Sequence, residues 1–223
     1  MENNPLHVAY FSMEIAFDDR FQNYAGGLGV LAADTLYSFA DLGTAAAGIT
    51  LWYHQNDEKT KALDPSQFMT RREETVEIQI EDRKVKIVIW QMDVTGKNGH
   101  VVPVFFLSSY TPENTKWDRD LTKWLYASDR YTRLGQEAIL GIGGYRALKK
   151  LGYSNIEFYH MNEGHTALIG LERLRANGSN EDVVRAKSTF TTHTPVAAGH
   201  DYFDYSLAEE TLGNILPNNI KDL

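Results

Sequence analysis

Cysteine is absent from the 223 residues. That removes disulfides, thiolate metal sites and cysteine nucleophiles from consideration. No stretch approaches the ~18 apolar residues of a membrane span, and the polar start from Met1 to His7 lacks the apolar core of a signal peptide. Basic residues are in the minority: 22 Lys and Arg stand against 30 Asp and Glu, for a formal net charge of −8. A nucleic-acid partner would demand a basic footprint, and an anionic membrane surface would repel such a chain. Neither partner is expected. The expected setting is a reducing one, the cytoplasm. Internal repeats and low-complexity tracts are also missing.

What is present is enough apolar material for one good core, 43% of the residues. His7 to Phe11 reads as a short buried strand, followed by a polar loop from Ser12 to Tyr24. Leu28, Leu31, Ala32, Leu36, Phe39 and Ala40 recur at helical spacing, and Gly43 is a natural stop. Thr44 to Tyr53 reads as a second buried strand, and Asp57 to Arg72 as an exposed, charged loop. Thr75–Ile80 and Lys84–Trp90 alternate apolar and polar residues around Glu81-Asp82-Arg83, the pattern of a β-hairpin. Val101 to Leu107 is a strand after the Gly96–Gly99 turn.

Asp118 to Leu151 reads as mostly helical, in two pieces that break near Ser128. Gly141, Gly143 and Gly144 each cost that helix roughly 1 kcal/mol, which points to close packing on a neighbour. Asn155–His160 is a strand, Gly164–Ala176 a helix stopped by Asn177-Gly178, Ala186–Thr191 a strand and Ser206–Leu212 a short helix. Strands alternating with helices predict an α/β fold with a mostly parallel sheet, helices on both faces and the hairpin as an insertion or sheet edge.

Three segments carry polar chemistry. Gly26, Gly27 and Gly29 permit positive φ and close backbone approach, and the helix they open offers unpaired N–H groups to an anion or sugar oxygen. The spacing is neither Gly-x-Gly-x-x-Gly nor a P-loop. His160-Met161-Asn162-Glu163-Gly164-His165 leaves a strand and enters a helix, where open α/β sheets collect ligands. Asn162, Glu163 and His165 are expected to face that crevice. Two other readings of this segment stay open: a metal held by His160, Glu163 and His165, and Asn162 or Glu163 acting as a helix cap. Thr192-His193-Thr194-Pro195 is a further strand end, stiffened because Pro195 keeps Thr194 extended, with Gly199-His200-Asp201 behind it. Ser12 and Glu14 follow the first strand and can join this group. Glu14 and Glu163 are also candidates for a glycosidase carboxylate pair. A serine hydrolase is disfavoured because no Gly-x-Ser-x-Gly is present.

Val8 to Ala16, Tyr24-Ala25-Gly26-Gly27-Leu28-Gly29-Val30-Leu31-Ala32, His160 to His165 and Thr192 to Val196 together resemble α-glucan phosphorylases of the shorter bacterial and archaeal type. The resemblance runs from about residue 7 to 205, and the four motifs are ordered as in that family. It implies a Rossmann-like N-terminal lobe, residues 1–223, of a two-lobe GT-B glycosyltransferase. The lobe would be incomplete, with its C-terminal pyridoxal-phosphate lobe in another part of the same protein or on a separate chain. The family cleaves α-1,4-glucan with phosphate, releasing glucose 1-phosphate with retention, and binds pyridoxal phosphate on a lysine of the second lobe. That lysine has no counterpart here, so the isolated chain is expected to be inactive.

By the same resemblance, the backbone N–H groups of Gly27 and Leu28 meet phosphate and glucosyl unit, with Gly26 and Gly29 shaping the loop. His193 matches the histidine that contacts the glucosyl residue through its carbonyl and ring. Asn162, Glu163 and His165 match residues near the acceptor sugar. Two rivals remain. A glycogen or starch synthase would carry Lys-x-Gly-Gly-Leu where Tyr24-Ala25-Gly26-Gly27-Leu28 stands. A stand-alone glucan-binding or regulatory module would use aromatics such as Tyr24, Trp52, Tyr53, Trp90, Trp117 and Trp124 for stacking.

Overall fold

The chain is seen in a computed structural model that describes residues 5–21, 23–55, 62–196 and 200–216. Seven strands form one sheet in the order β3-β4-β5-β2-β1-β6-β7. These are β1 Leu6–Phe11, β2 Ala46–Leu51, β3 Thr70–Ile80, β4 Arg83–Thr95, β5 Val101–Ser108, β6 Ile156–Asn162 and β7 Ser188–Thr191. β5, β2, β1, β6 and β7 run parallel. β3 and β4 are antiparallel and close one edge through β5. The hairpin is therefore a sheet edge. It is longer than its alternating pattern suggested, because a bulge between Arg71 and Thr75 lets β3 start early. Its turn is also shorter: Arg83 already belongs to β4, and Glu81 takes the left-handed φ of 56° that a two-residue turn needs.

Alternation along β1 separates two cores. Tyr10 packs with Ala32, Ala33, Leu36 and Ala40 of helix α1, Gly27–Leu42, on one face. Ala9 and Phe11 pack on the other face with Leu134, Ile139, Ile142, Leu148 and Ile169. Those residues come from α3 (Arg130–Ala138), α4 (Gly144–Lys150), the turn between them and α5 (Leu168–Ala176). Each fully buried Leu, Ile or Phe contributes about 1.5–3 kcal/mol. α1 stops at Gly43, whose φ of 70° lets its N–H and that of Thr44 reach back to the carbonyls of Ala40 and Phe39.

Helical order between 118 and 151 is less than expected. A short helix α2, Lys116–Arg119, and a 3-10 turn, Asp120–Thr122, replace the first piece. The second piece starts where the Asp129 carboxylate accepts the Thr132 N–H at 2.8 Å. α3 then runs into α4 through a π-helical turn, Ile139–Gly143. The glycines here serve contact. A Cβ on Gly141 would lie 2.5 Å from the backbone nitrogen of Ile169, and one on Gly144 would lie 2.7 Å from the Phe11 ring. Gly143 has only ordinary neighbours.

Helix α6, Glu181–Ala186, was not foreseen; Asn180 caps it by accepting the Val183 N–H at 3.2 Å. Helix α7, Tyr205–Leu212, folds back on the hairpin turn, where the Thr211 carbonyl accepts the Glu81 N–H at 2.8 Å. Residues 56–61 of the expected charged loop, Gly199 and the tail beyond Leu216 lie outside the described residues. Among the described residues no helix is long and apolar enough to cross a membrane.

Candidate functional site

β1, β6 and β7 are neighbours and parallel, so their carboxyl ends deliver Ser12 and Glu14, Asn162 and Glu163, and Thr192 to Thr194 to one rim of the sheet. Side chains then link the three ends. The Asn162 amide donates to Ser12 Oγ at 3.2 Å, and Ser12 Oγ donates to the Glu14 carbonyl at 2.7 Å. Asn162 Oδ1 lies 3.1 Å from His193 Nε2. Asn162 is buried, and His193 is exposed at the end of this relay.

Glu14 reaches the glycine loop. Its Oε2 accepts the N–H of Ala25 at 2.6 Å and of Gly26 at 3.3 Å, while Oε1 accepts the Tyr126 hydroxyl at 2.8 Å. The segment holding Ser12 and Glu14 therefore ties the glycine turn to the His193 rim. The Ser12–Tyr24 loop is polar in sequence but its anchors are buried, Ser12 and Glu14 among them.

α1 opens at Gly26 with no side-chain cap and no acidic residue in its first turn. Beyond the Ala25 and Gly26 N–H groups that Glu14 accepts, the N–H groups of Gly27 and Leu28 are left for a ligand oxygen. Neither Gly26, Gly27 nor Gly29 has the positive φ their sequence permits: Gly26 is extended, with φ of −168°. A Cβ on Gly26 or Gly27 would meet nothing within 4 Å, so both face open space. Gly29 is the one required for close approach, since a Cβ there would fall 2.4 Å from Tyr24 Cβ and 3.1 Å from Glu14 Oε2.

Glu163 takes a left-handed φ of 68°, rare for a side chain of its kind. It does not cap the following turn through its side chain. Its buried carboxylate points at the exit of β7. Oε1 accepts the N–H of His193 at 2.5 Å and of Thr194 at 3.1 Å, and the Thr194 hydroxyl at 3.3 Å. Oε2 accepts the Thr192 hydroxyl at 3.2 Å. Burial pushes the Glu163 carboxyl up, but the donors from His193, Thr192 and Thr194 outweigh it and hold it below its ordinary value. With Glu14 and Glu163 both engaged by donors of the fold, the structure gives the glycosidase pair no support.

His165 sits apart from this relay. It is buried, its Nδ1 has no partner, its Nε2 is 3.8 Å from Asp201 and its ring is 5.4 Å from that of Tyr126. Burial lowers its pKa, against the pull of Asp201. His160 turns elsewhere, to the Thr191 hydroxyl at 2.8 Å. No group of three metal-ligating side chains occurs among the described residues.

Around Tyr126 lies a polar set, with Glu137 buried and Tyr126 and Arg133 half-buried, that sequence reasoning did not single out. The Arg133 guanidinium stacks on the Tyr126 ring at 4.7 Å and lies 3.8 Å from Asp201. Glu137, next to Asp201, is pushed up to about 9 by burial first and by the charge of Asp201 second. The only signal in the sequence was polar residues on the apolar face of a predicted helix. Of the proposed stacking aromatics, Trp52 and Tyr53 are core, while Trp117 is 61% exposed.

No protein-family model matches the chain. It is 35% identical over 239 aligned residues to glycogen phosphorylase of Mycobacterium tuberculosis, covering 92% of this chain and 27% of that protein. It is 33% identical over 241 residues to maltodextrin phosphorylase of Thermococcus litoralis, covering 96% of this chain and 28% of the relative. Glycogen phosphorylase of Aquifex aeolicus is 29% identical, with 91% and 32% covered. The chain thus spans about a quarter to a third of the length of these relatives. Among solved structures it is similar to the catalytic domain of starch synthase IV from Arabidopsis thaliana bound to ADP and acarbose. There the TM-score is 0.56 at 16% identity, over 83% of this chain and 33% of that one. That likeness is one of fold. The chain is a homologue of glycogen and maltodextrin phosphorylases over nearly its whole length, and its α/β fold is similar to that of the starch synthase domain.

Proposed function

We propose that this chain is the N-terminal lobe of an α-1,4-glucan phosphorylase and supplies one wall of its active site. The observation that carries the reading is the joining of the glycine loop to the His193 rim through Glu14, Ser12 and Asn162. Two motifs far apart in sequence thereby become one surface at the carboxyl ends of parallel strands.

In this reading the N–H groups of Gly27 and Leu28 donate to oxygens of phosphate and of the glucosyl unit, with Gly26 and Gly29 setting the loop. Preoriented backbone donors are most effective where negative charge develops. His193 meets the glucosyl unit. Its ring is oriented by Asn162 and its backbone by Glu163, so Glu163 acts on the acceptor side by holding residues 192–194 in place. His165 faces the acceptor sugar from the Tyr126 side. The substrates are an α-1,4-glucan and phosphate, and the product is glucose 1-phosphate.

Pyridoxal phosphate is the cofactor expected of the whole enzyme, held on a lysine. Among the described lysines none is placed beside the glycine loop. Lys149 and Lys187 bond the carbonyls of Ser154 and Ile156, and Lys123 lies on the Trp124 ring at 4.3 Å. The residues present do not fit that site. The cofactor's lysine and a second lobe are to be sought elsewhere in the protein.

The test is an assay of the full-length protein for phosphate-dependent release of glucose 1-phosphate from maltoheptaose, beside the same assay of the 223-residue chain. Activity of the full-length protein alone is the expected result. Transfer of glucose from ADP-glucose without phosphorolysis would overturn the reading.

A further inference from the structure

We infer that Glu14 is a positioning residue that decides which backbone N–H groups of the glycine loop are left for the ligand. Four amides follow one another at the start of α1, from Ala25 to Leu28. The Glu14 carboxylate takes the first two, Ala25 at 2.6 Å and Gly26 at 3.3 Å. Those groups are spent within the fold, and the donors of Gly27 and Leu28 become the first free ones. A shift of the carboxylate by one residue along the loop would change the pair on offer.

The carboxylate is fixed from every side. It is 3% exposed. Its second oxygen accepts the Tyr126 hydroxyl at 2.8 Å, and Tyr126 is itself set in a left-handed φ of 55° and covered by Arg133. Gly29 leaves the space the carboxylate occupies, since a Cβ there would lie 3.1 Å from Glu14 Oε2. The neighbouring backbone ties run the same way: Ile15 N–H donates to the Asn23 carbonyl and Ala16 N–H to the Gly29 carbonyl, each at 3.0 Å. Glu14 and the loop thus form one rigid unit. A buried carboxylate accepting two N–H groups and a hydroxyl is a strong, directional anchor.

A consequence follows for the far wall. Tyr126 touches Glu14 through its hydroxyl and His165 through its ring. The glycine loop and the His165 side are therefore held by the same side chain.

The kinetic consequence rests on the phosphorylase reading; the structural one does not, and the experiment separates them. In the 223-residue chain the amide protons of Ala25 and Gly26 are expected far downfield, as donors to a carboxylate. Glu14→Ala should return both to ordinary positions while amides of β2 and β5 stay put, which shows the core is folded. Tyr126→Phe, a change without loss of ring packing, should move the same two signals in the same direction by less.

In the full-length protein, Glu14→Ala should lower kcat for maltoheptaose phosphorolysis on the order of tenfold to a hundredfold, as expected for misplaced donors. The KM for glucan should stay nearly unchanged, and Glu14→Gln should recover part of the loss. Ala25 and Gly26 signals indifferent to Glu14→Ala would overturn the positioning role. So would Glu14→Gln proving as damaging as Glu14→Ala. Absence of phosphorolysis in the unmodified full-length protein would overturn the functional reading alone, with the amide shifts still deciding the role of Glu14.

Discussion

The Glu163 carboxylate accepts the backbone N–H of His193 at 2.5 Å, from a residue whose own φ is 68°. A strained backbone at Glu163, just past the end of β6, is thus exchanged for control of the segment leaving β7. The residue the sequence marks as a sugar contact is, in the fold, the anchor of three successive residues.

Replacing Glu163 by Ala should unfasten residues 192–194 and destabilise the chain by about 2–4 kcal/mol, since a buried carboxylate with several donors is lost. The melting temperature reads it out. Glu163→Gln should cost less, because its amide oxygen keeps part of the set.

The same anchor predicts acid sensitivity. The folded carboxyl of Glu163 is held below its ordinary value of 4.5. Its contribution is present above that pH and is lost as pH falls through the lower folded value. Melting temperatures taken from pH 6 downward should fall more steeply for the unmodified chain than for Glu163→Gln.

Glu137 behaves oppositely. Its folded pKa is raised from 4.5 to about 9, so the folded state holds a proton that the unfolded state has released. Stability from this group is full below 4.5 and is lost as pH rises toward about 9. Glu137→Gln removes the titration. Its melting temperature should exceed that of the unmodified chain at pH 9 and approach it at pH 5.

Two glycines of the loop should respond differently to alanine. Gly29→Ala places a Cβ 2.4 Å from Tyr24 Cβ and should destabilise by about 1–3 kcal/mol through forced displacement. Gly27→Ala meets open space and should leave the melting temperature unchanged. In the full-length protein it should raise the KM for phosphate, because the added methyl group stands where the ligand is proposed to bind.

Gly141 and Gly143 form a second pair of this kind. Alanine at 141 collides with the backbone of Ile169 at 2.5 Å and cannot be relieved by a rotamer change. It should cost more than about 3 kcal/mol. Alanine at 143 meets only van der Waals neighbours and should be tolerated, with thermal denaturation separating the two.

Local pattern settled much of the chain. Alternation wrote the hairpin, and the apolar spacing of Ala32, Leu36 and Ala40 wrote α1 up to its Gly43 stop. The strand ends bearing Asn162 and His193 were legible because polar clusters, Asn162-Glu163-Gly164-His165 and Thr192-His193-Thr194, close the two strands. The first half of the 118–151 segment misled because Asp118 and Thr122 are buried polar residues. They bond to groups outside any helix, as where the Thr122 hydroxyl oxygen accepts the Ser109 N–H at 3.1 Å, and periodicity alone does not distinguish that from a helix face.

By itself, then, the sequence determined the alternating α/β elements, the glycine turn and the three polar strand ends. Tertiary structure decided the rest: that β1 lies between β2 and β6, that Glu14 grips Ala25, Gly26 and Tyr126, and that Glu163 turns toward His193. The physical reason is the range of these contacts. Each joins a side chain to a donor 11 to 112 residues away, and such pairs form only once the order of parallel strands has set which ends are neighbours.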